Sequence, residues 1–175
     1  MWFLFRKNLL ILWWLNFLLL GCGYTFYERP TYFKDTWKSI YIAPFKNYTQ
    51  EPELSEWLAY ELRHKFAQGK LLKLTYSEEQ ADLLLKGEIK RIYLEPVSYE
   101  VFLQTRERKI LFEGKVELIE RATQQKIYEN PKISRFEVYR VSEATTQIHD
   151  LGKYEALKRL AKDLSEIIFQ DIWLK

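Results

Sequence analysis

The sequence predicts an α+β domain: two helices packed on one face of a mixed, mostly antiparallel sheet, in the order β-α-β-β-β-α, after a cleaved signal peptide. Three observations lead there. An apolar stripe at helical spacing follows the first strand-like run. Long alternating segments fill the middle of the chain. A second amphipathic stripe closes it. Strands followed by a flanking helix at each end favour helices laid over one sheet.

Ser39 to Ala43 reads as the first strand, stopped by Pro44. Phe45 to Gln50 is rich in turn formers, and Glu51-Pro52-Glu53 opens a helix with acids placed for its dipole. Leu54, Leu58, Leu62 and Phe66, with Trp57, form that helix's apolar face, and Gly69 is a natural stop. Leu71 to Tyr76 is a second strand, expected to run parallel to the first. In the long segment from Asp82 to Glu95, Leu83, Leu85 and Ile89 share one parity, whereas Ile92 and Leu94 share the other. Strands have period two, so this predicts a β-bulge near Lys90 and Arg91, and Glu95-Pro96 should end the strand. Lys109 to Glu120 alternates, Ala122 to Gln125 makes a hairpin turn, and Asn130-Pro131 interrupts the next strand. Tyr154, Leu157, Leu160, Ala161, Leu164, Ile167, Ile168 and Ile172 mark the closing helix.

The N-terminus has its own logic. Arg6 and Lys7 precede an apolar run that ends at Leu19-Leu20-Gly21-Cys22. A basic start, an apolar stretch and a small residue read as an export signal over residues 1–21. The chain's only cysteine follows at once, in a setting that resembles a bacterial lipobox. Cys22 is therefore expected to be acylated and to become the mature N-terminus, with residues 22–38 as a lipidated tether and 39–175 as a single domain. One cysteine forms no disulfide within its own chain, so lipidation accounts for its presence. Gly23 replaces the Asp that would signal retention in the inner membrane, which points to the outer one.

The whole chain carries +3, and the signal holds two of its cations and no acid, so the mature chain is close to neutral. That balance gives no electrostatic basis for binding nucleic acid. Two histidines, His64 and His149, stand apart, and no HxH, HExxH, CxxC or Gly-rich phosphate motif occurs. No cofactor, metal site or catalytic group is expected. The remaining feature is basic: Lys90 and Arg91 near the bulge, then Arg106, Arg108 and Lys109. These five are the candidate anion-binding residues, suited to phosphate-bearing headgroups. A solvated sheet face is the plainer alternative. Tyr99, Phe102 and Phe112 lie near them in sequence as candidate contacts for acyl chains or a partner.

Several stretches carry a family resemblance: CGYTF at Cys22, SIYIAPFKNYTQEPELSEWLAYELRHKF, GKLLKL and ADLLLKGEIKRIYLEPVSY. Together with the terminal helix they resemble the lipopolysaccharide-assembly lipoprotein family LptE. The strand-Pro-Phe-x-Asn lead-in to the first helix and the Ala-Asp-x-x-Leu-x-Gly strand are the most specific parts. The resemblance implies a two-helix, mixed-sheet domain on the periplasmic side of the outer membrane. It also implies a role as plug and assembly partner of the LptD β-barrel, and binding of lipopolysaccharide. A lipoprotein of another envelope complex and an exported enzyme are the rival readings.

Overall fold

The computed structural model describes residues 30–99, 105–141 and 150–173; the side chains of Ser98, Tyr99, Thr105 and Arg106 lie outside that description. Strands β1 (Ser39–Ile42) and β2 (Lys46–Asn47) precede helix α1 (Glu53–Gly69). Strand β3 (Lys73–Thr75) and a single 3₁₀ turn lead to β4 (Leu83–Tyr99), β5 (Thr105–Glu120) and β6 (Lys126–Arg140). Helix α2 (Leu151–Trp173) closes the domain. The sheet runs β3-β1-β4-β5-β6, with β2 also beside β4. Strand β1 is parallel to both β3 and β4, whereas β4, β5 and β6 form an antiparallel meander. The predicted α+β class and mixed sheet are thus present.

Both helices lie on the face that carries Ile40, Leu83, Leu85, Ile89, Phe112, Val116 and Leu118, all buried. Leu54, Leu58, Leu62 and Phe66 of α1 meet Leu157, Leu160, Leu164, Ile168 and Phe169 of α2 in one core. Neither stripe is stable alone in water, and each helix forms because the sheet and its neighbour cover it.

The two most specific motifs meet in space. Asn47 donates to the Glu51 carbonyl at 2.7 Å and accepts from the Thr49 amide at 2.9 Å, which folds the chain into α1. Ser55 ties that turn down by donating to the Phe45 carbonyl at 2.6 Å. The Phe45 ring lies on Gly87 of β4, where a Cβ would come within 2.3 Å of it. Asp82, at the head of β4, accepts from the amides of Lys38 and Ser39 and from the Ser39 hydroxyl. The Asn, the Asp, the Phe and the Gly therefore hold β1, β2, α1 and β4 in register.

Three details differ from the sequence reading. Strand β4 does not end at Pro96 but continues to Tyr99, with Pro96 in register with Arg108. Beyond Ile89 no described strand pairs with the far edge of β4, so the missing proline N–H costs no ladder bond. Strand β6 likewise runs through Asn130-Pro131, because it is an edge strand and absorbs the proline in a register shift. Gly69 is the last helical residue, and the left-handed position falls on Lys70, at φ 53°. Gly69 is small for another reason: a Cβ there would press at 3.0 Å on the Phe169 ring of α2. The predicted bulge is present as a register shift between Ile89 and Arg91.

Part of the expected tether is drawn into the core. Phe33 and Trp37 are buried, and Phe33 lies 4.9 Å from Trp173, ring centre to ring centre. Buried Glu120 at the end of β5 holds this strap: it accepts from Trp37 Nε1 at 2.7 Å, Lys34 Nζ at 2.8 Å and Thr123 Oγ1 at 2.6 Å. Lys34 first, then Thr123 and Trp37, hold its carboxyl down at about 2, against 4.5 ordinarily. A depressed folded-state pKa gives stability that is complete above the unfolded value and lost as pH falls towards the folded one. The wild type is therefore expected to lose stability from pH about 4.5 down to about 2. In urea titrations across that window, the gap between wild type and Glu120→Gln should narrow as pH falls. A gap independent of pH would show that the strap does not depend on the carboxylate.

Candidate functional site

The side of the sheet away from the helices is divided along its length. Near the middle it is a charge lattice. Lys115 pairs with Glu117 at 2.9 Å and Glu129 at 3.1 Å, and Lys126 pairs with the same two acids. These bonds raise the pKa of Lys115 and of Lys126. Burial pushes the Glu117 carboxyl up, but the two lysines more than offset it and leave it lowered. Such pairs satisfy one another and leave little charge for a ligand.

Past the bulge the face changes character. The switch of parity at Lys90 places Tyr93, Leu111 and Phe136 in one row across β4, β5 and β6. The next row is Glu95, Lys109 and Val138, and the row before it is Arg91, Glu113 and Ser134. Tyr93 is 42% exposed, Phe136 54% and Val138 40%. Neither described helix covers them, because both lie on the other face. Arg91 donates to the Tyr93 hydroxyl at 3.0 Å, which raises its pKa further. Lys109 pairs with Glu95 at 2.9 Å and lies 5.8 Å from the centre of the Phe136 ring. The result is an exposed apolar strip between two mixed rows, Arg91 with Glu113 on one side and the Lys109–Glu95 pair on the other, whose exposed cations suit an amphiphile with acidic head and apolar tail.

The five candidate residues do not all share this face. Lys90, at the bulge, reaches the Pro131 carbonyl at 3.5 Å, and Arg91 and Lys109 flank the strip. Arg108 has the opposite parity and stands in register with Tyr139 on the helix side. There burial and the charge of Asp150 push the Tyr139 hydroxyl up to about 12, with Arg108 pulling the other way. The side chain of Arg106 and all of Cys22 lie outside the described residues, as do the Tyr99 side chain, Phe102 and His149. Phe112 is buried in the core and is no surface contact. Sequence reasoning missed Tyr93, Leu111, Phe136 and Val138. The signal was present in the bulge: once parity switches, the odd residues of β4 leave the core. His64 is exposed on α1, hydrogen-bonded to Gln68. Among the described residues no three His, Cys, Asp or Glu side chains are placed to hold a metal ion.

This two-helix, mixed-sheet arrangement is a fold found among bacterial lipoproteins. The solution structure of lipoprotein B from Nitrosomonas europaea superposes with a TM-score of 0.57 at 13% identity, covering 86% of this chain and 90% of that one. A minor lipoprotein from Acinetobacter baumannii gives 0.51 at 14% identity, covering 78% and 91%. A sequence search of curated proteins finds no match. The family model LptE, described as lipopolysaccharide-assembly, matches residues 37–172, and the chain belongs to that family.

Proposed function

We propose that this protein is a lipid-anchored component of the lipopolysaccharide export apparatus in the outer membrane. Acylated Cys22 holds it to the periplasmic leaflet. It sits as plug and assembly partner in an LptD-like β-barrel, one copy to one barrel. It binds lipopolysaccharide through the far half of the exposed sheet face. Family membership supports the setting, and the Tyr93–Leu111–Phe136 row between Arg91 and Lys109 carries the binding reading. Acyl chains meet the row while the cations meet phosphates, and neither contact requires a deep pocket.

Affinity purification of the lipidated protein from detergent-solubilised outer membrane should bring down a large barrel protein. In a separate binding titration, Arg91→Glu with Lys109→Glu should weaken lipopolysaccharide binding about tenfold or more at low salt, with less effect as salt rises. Lys162→Glu, on the solvent side of α2, should bind as the wild type does. Unchanged binding by the folded double variant would leave this face as solvated surface. Recovery of no barrel protein would point to another envelope partner.

A further inference from the structure

Strand β2 leaves β4 at Asn47, where the Tyr48 amide makes a last bond to the Ile89 carbonyl at 3.0 Å. Among the described residues, β4 from there on has a neighbour on one side only, namely β5. A cleft of about 380 Å³ lies along the vacated edge, between the Tyr48–Glu51 turn, Lys153 of α2 and residues Lys90 to Leu94.

The backbone parity of this edge follows from the ladder. Leu85 and Ile89 turn their carbonyls towards β1 and β2, accepting from Ala43 and Tyr48. The bulge at Lys90 shifts that parity by one. Ile92, Leu94 and Pro96 therefore turn their backbone groups to the vacant side, while Arg91, Tyr93 and Glu95 bond to β5. Pro96 fits this assignment, since its nitrogen has no proton to offer. The bulge closes one end of the free edge and the proline the other, which leaves a slot about five residues long. The side chains around it are of two kinds. Leu94, on the helix side, is partly exposed and apolar. Lys90 and Arg91 leave on the other side, and Lys153 faces the cleft paired with Glu51. Among the residues that line the cleft three cations stand against one acid, and Glu95 further along the slot is paired with Lys109, so the surface favours an acidic occupant.

We propose that this slot takes an extended segment of another polypeptide as an added strand, one that alternates acidic and apolar residues. Main-chain bonds to Ile92 and Leu94 hold it. Its apolar residues meet Leu94 and its acids meet Arg91 and Lys90. The slot shares Arg91 with the lipid-binding face and is told apart from it by its readout, the backbone of the even residues with a peptide and no lipid present.

The test uses the full chain in detergent micelles and the peptide acetyl-Glu-Val-Glu-Val-Glu-amide. Backbone amide exchange should slow at Ile92 and Leu94 by about tenfold or more at saturation, and stay unchanged at Tyr93, whose amide is already in the ladder. Arg91→Glu should weaken the acidic peptide about tenfold and favour acetyl-Lys-Val-Lys-Val-Lys-amide instead. Leu94→Pro removes a donor on the free edge without touching the β5 ladder and should abolish the effect at Ile92. If that variant does not fold, Arg91→Glu alone decides. Exchange unchanged by the acidic peptide, or slowed equally by the basic one in the wild type, overturns the proposal. So does protection that rises with protein concentration in the absence of peptide, which would mean that copies of this chain pair edge to edge.

Discussion

Phe66→Ala is expected to destabilise the domain by about 3–5 kcal/mol, a large share of the roughly 5–15 kcal/mol that holds a domain folded. Phe66 is 1% exposed in the last turn of α1. Its ring meets Phe169 edge-on at 5.0 Å and Trp173 at 6.1 Å. Trp173 continues to Phe33, and Phe33 to Trp37 at 5.4 Å. One run of aromatic rings thus joins both helices to the strap that leads back towards Cys22. Removing the first ring leaves a cavity whose walls have little freedom to close. Gly69 already stands close to Phe169, and the strap is fixed at Glu120. Urea unfolding should show the loss, and thermal unfolding should fall by roughly 10–20 °C. A cost below about 1 kcal/mol would mean that the aromatic run is not part of the cooperative core.

Cys22→Ala is expected to abolish anchoring altogether. On the proposed maturation, the thiol takes the diacylglyceryl group before the signal is cut. An alanine offers no nucleophile for that step and blocks both modifications. Three acyl chains hold a protein firmly, at about 0.8 kcal/mol per buried CH₂, whereas the bare domain has no such attachment. Intact-mass measurement of the wild type should show residues 1–21 missing and a lipid mass added. The variant should keep its signal and disappear from the outer-membrane fraction. A lipid-free, mature-length Cys22→Ala protein still seated in that membrane would remove the anchor from the account.

Much of the fold was legible because two periodicities are strong. Leu54, Leu58, Leu62 and Phe66 recur every four residues, and the face switch between Ile89 and Ile92 located a bulge before any coordinates. Proline misled where edges matter. Pro96 read as a strand end and Pro131 as an interruption, but among the described residues both lie in strands with a vacant side, and a vacant side depends on neighbours distant in sequence. The Glu120 clamp was hidden for a similar reason: Lys34 and Trp37 are more than 80 positions from it and show no period. Of the candidate site, the placement of some residues was legible and that of others was not. Charge clustering named Lys90, Arg91 and Lys109, which stand at or beside one face beyond the bulge, but β-strand parity, not proximity in sequence, assigns Arg108 to the opposite face. Likewise Phe112 is core and Phe136 is surface, because Phe112 shares the parity of buried Ile110 on β5, whereas Phe136 stands in register with Leu111 on the other face. The family motif carried no ligand chemistry at all. Its Asn47, Asp82, Phe45 and Gly87 build the scaffold on which the face is held.

The proposed lipopolysaccharide-binding surface is the exposed strip beyond the bulge. Photo-crosslinking in living cells tests this directly, with a benzophenone amino acid at Phe136 and, in a second strain, at Tyr60 on the exposed side of α1. The predicted result is a lipopolysaccharide adduct from position 136 and none from position 60, with both proteins in the outer membrane in equal amount. Adducts from both positions alike, or from position 60 alone, would contradict it.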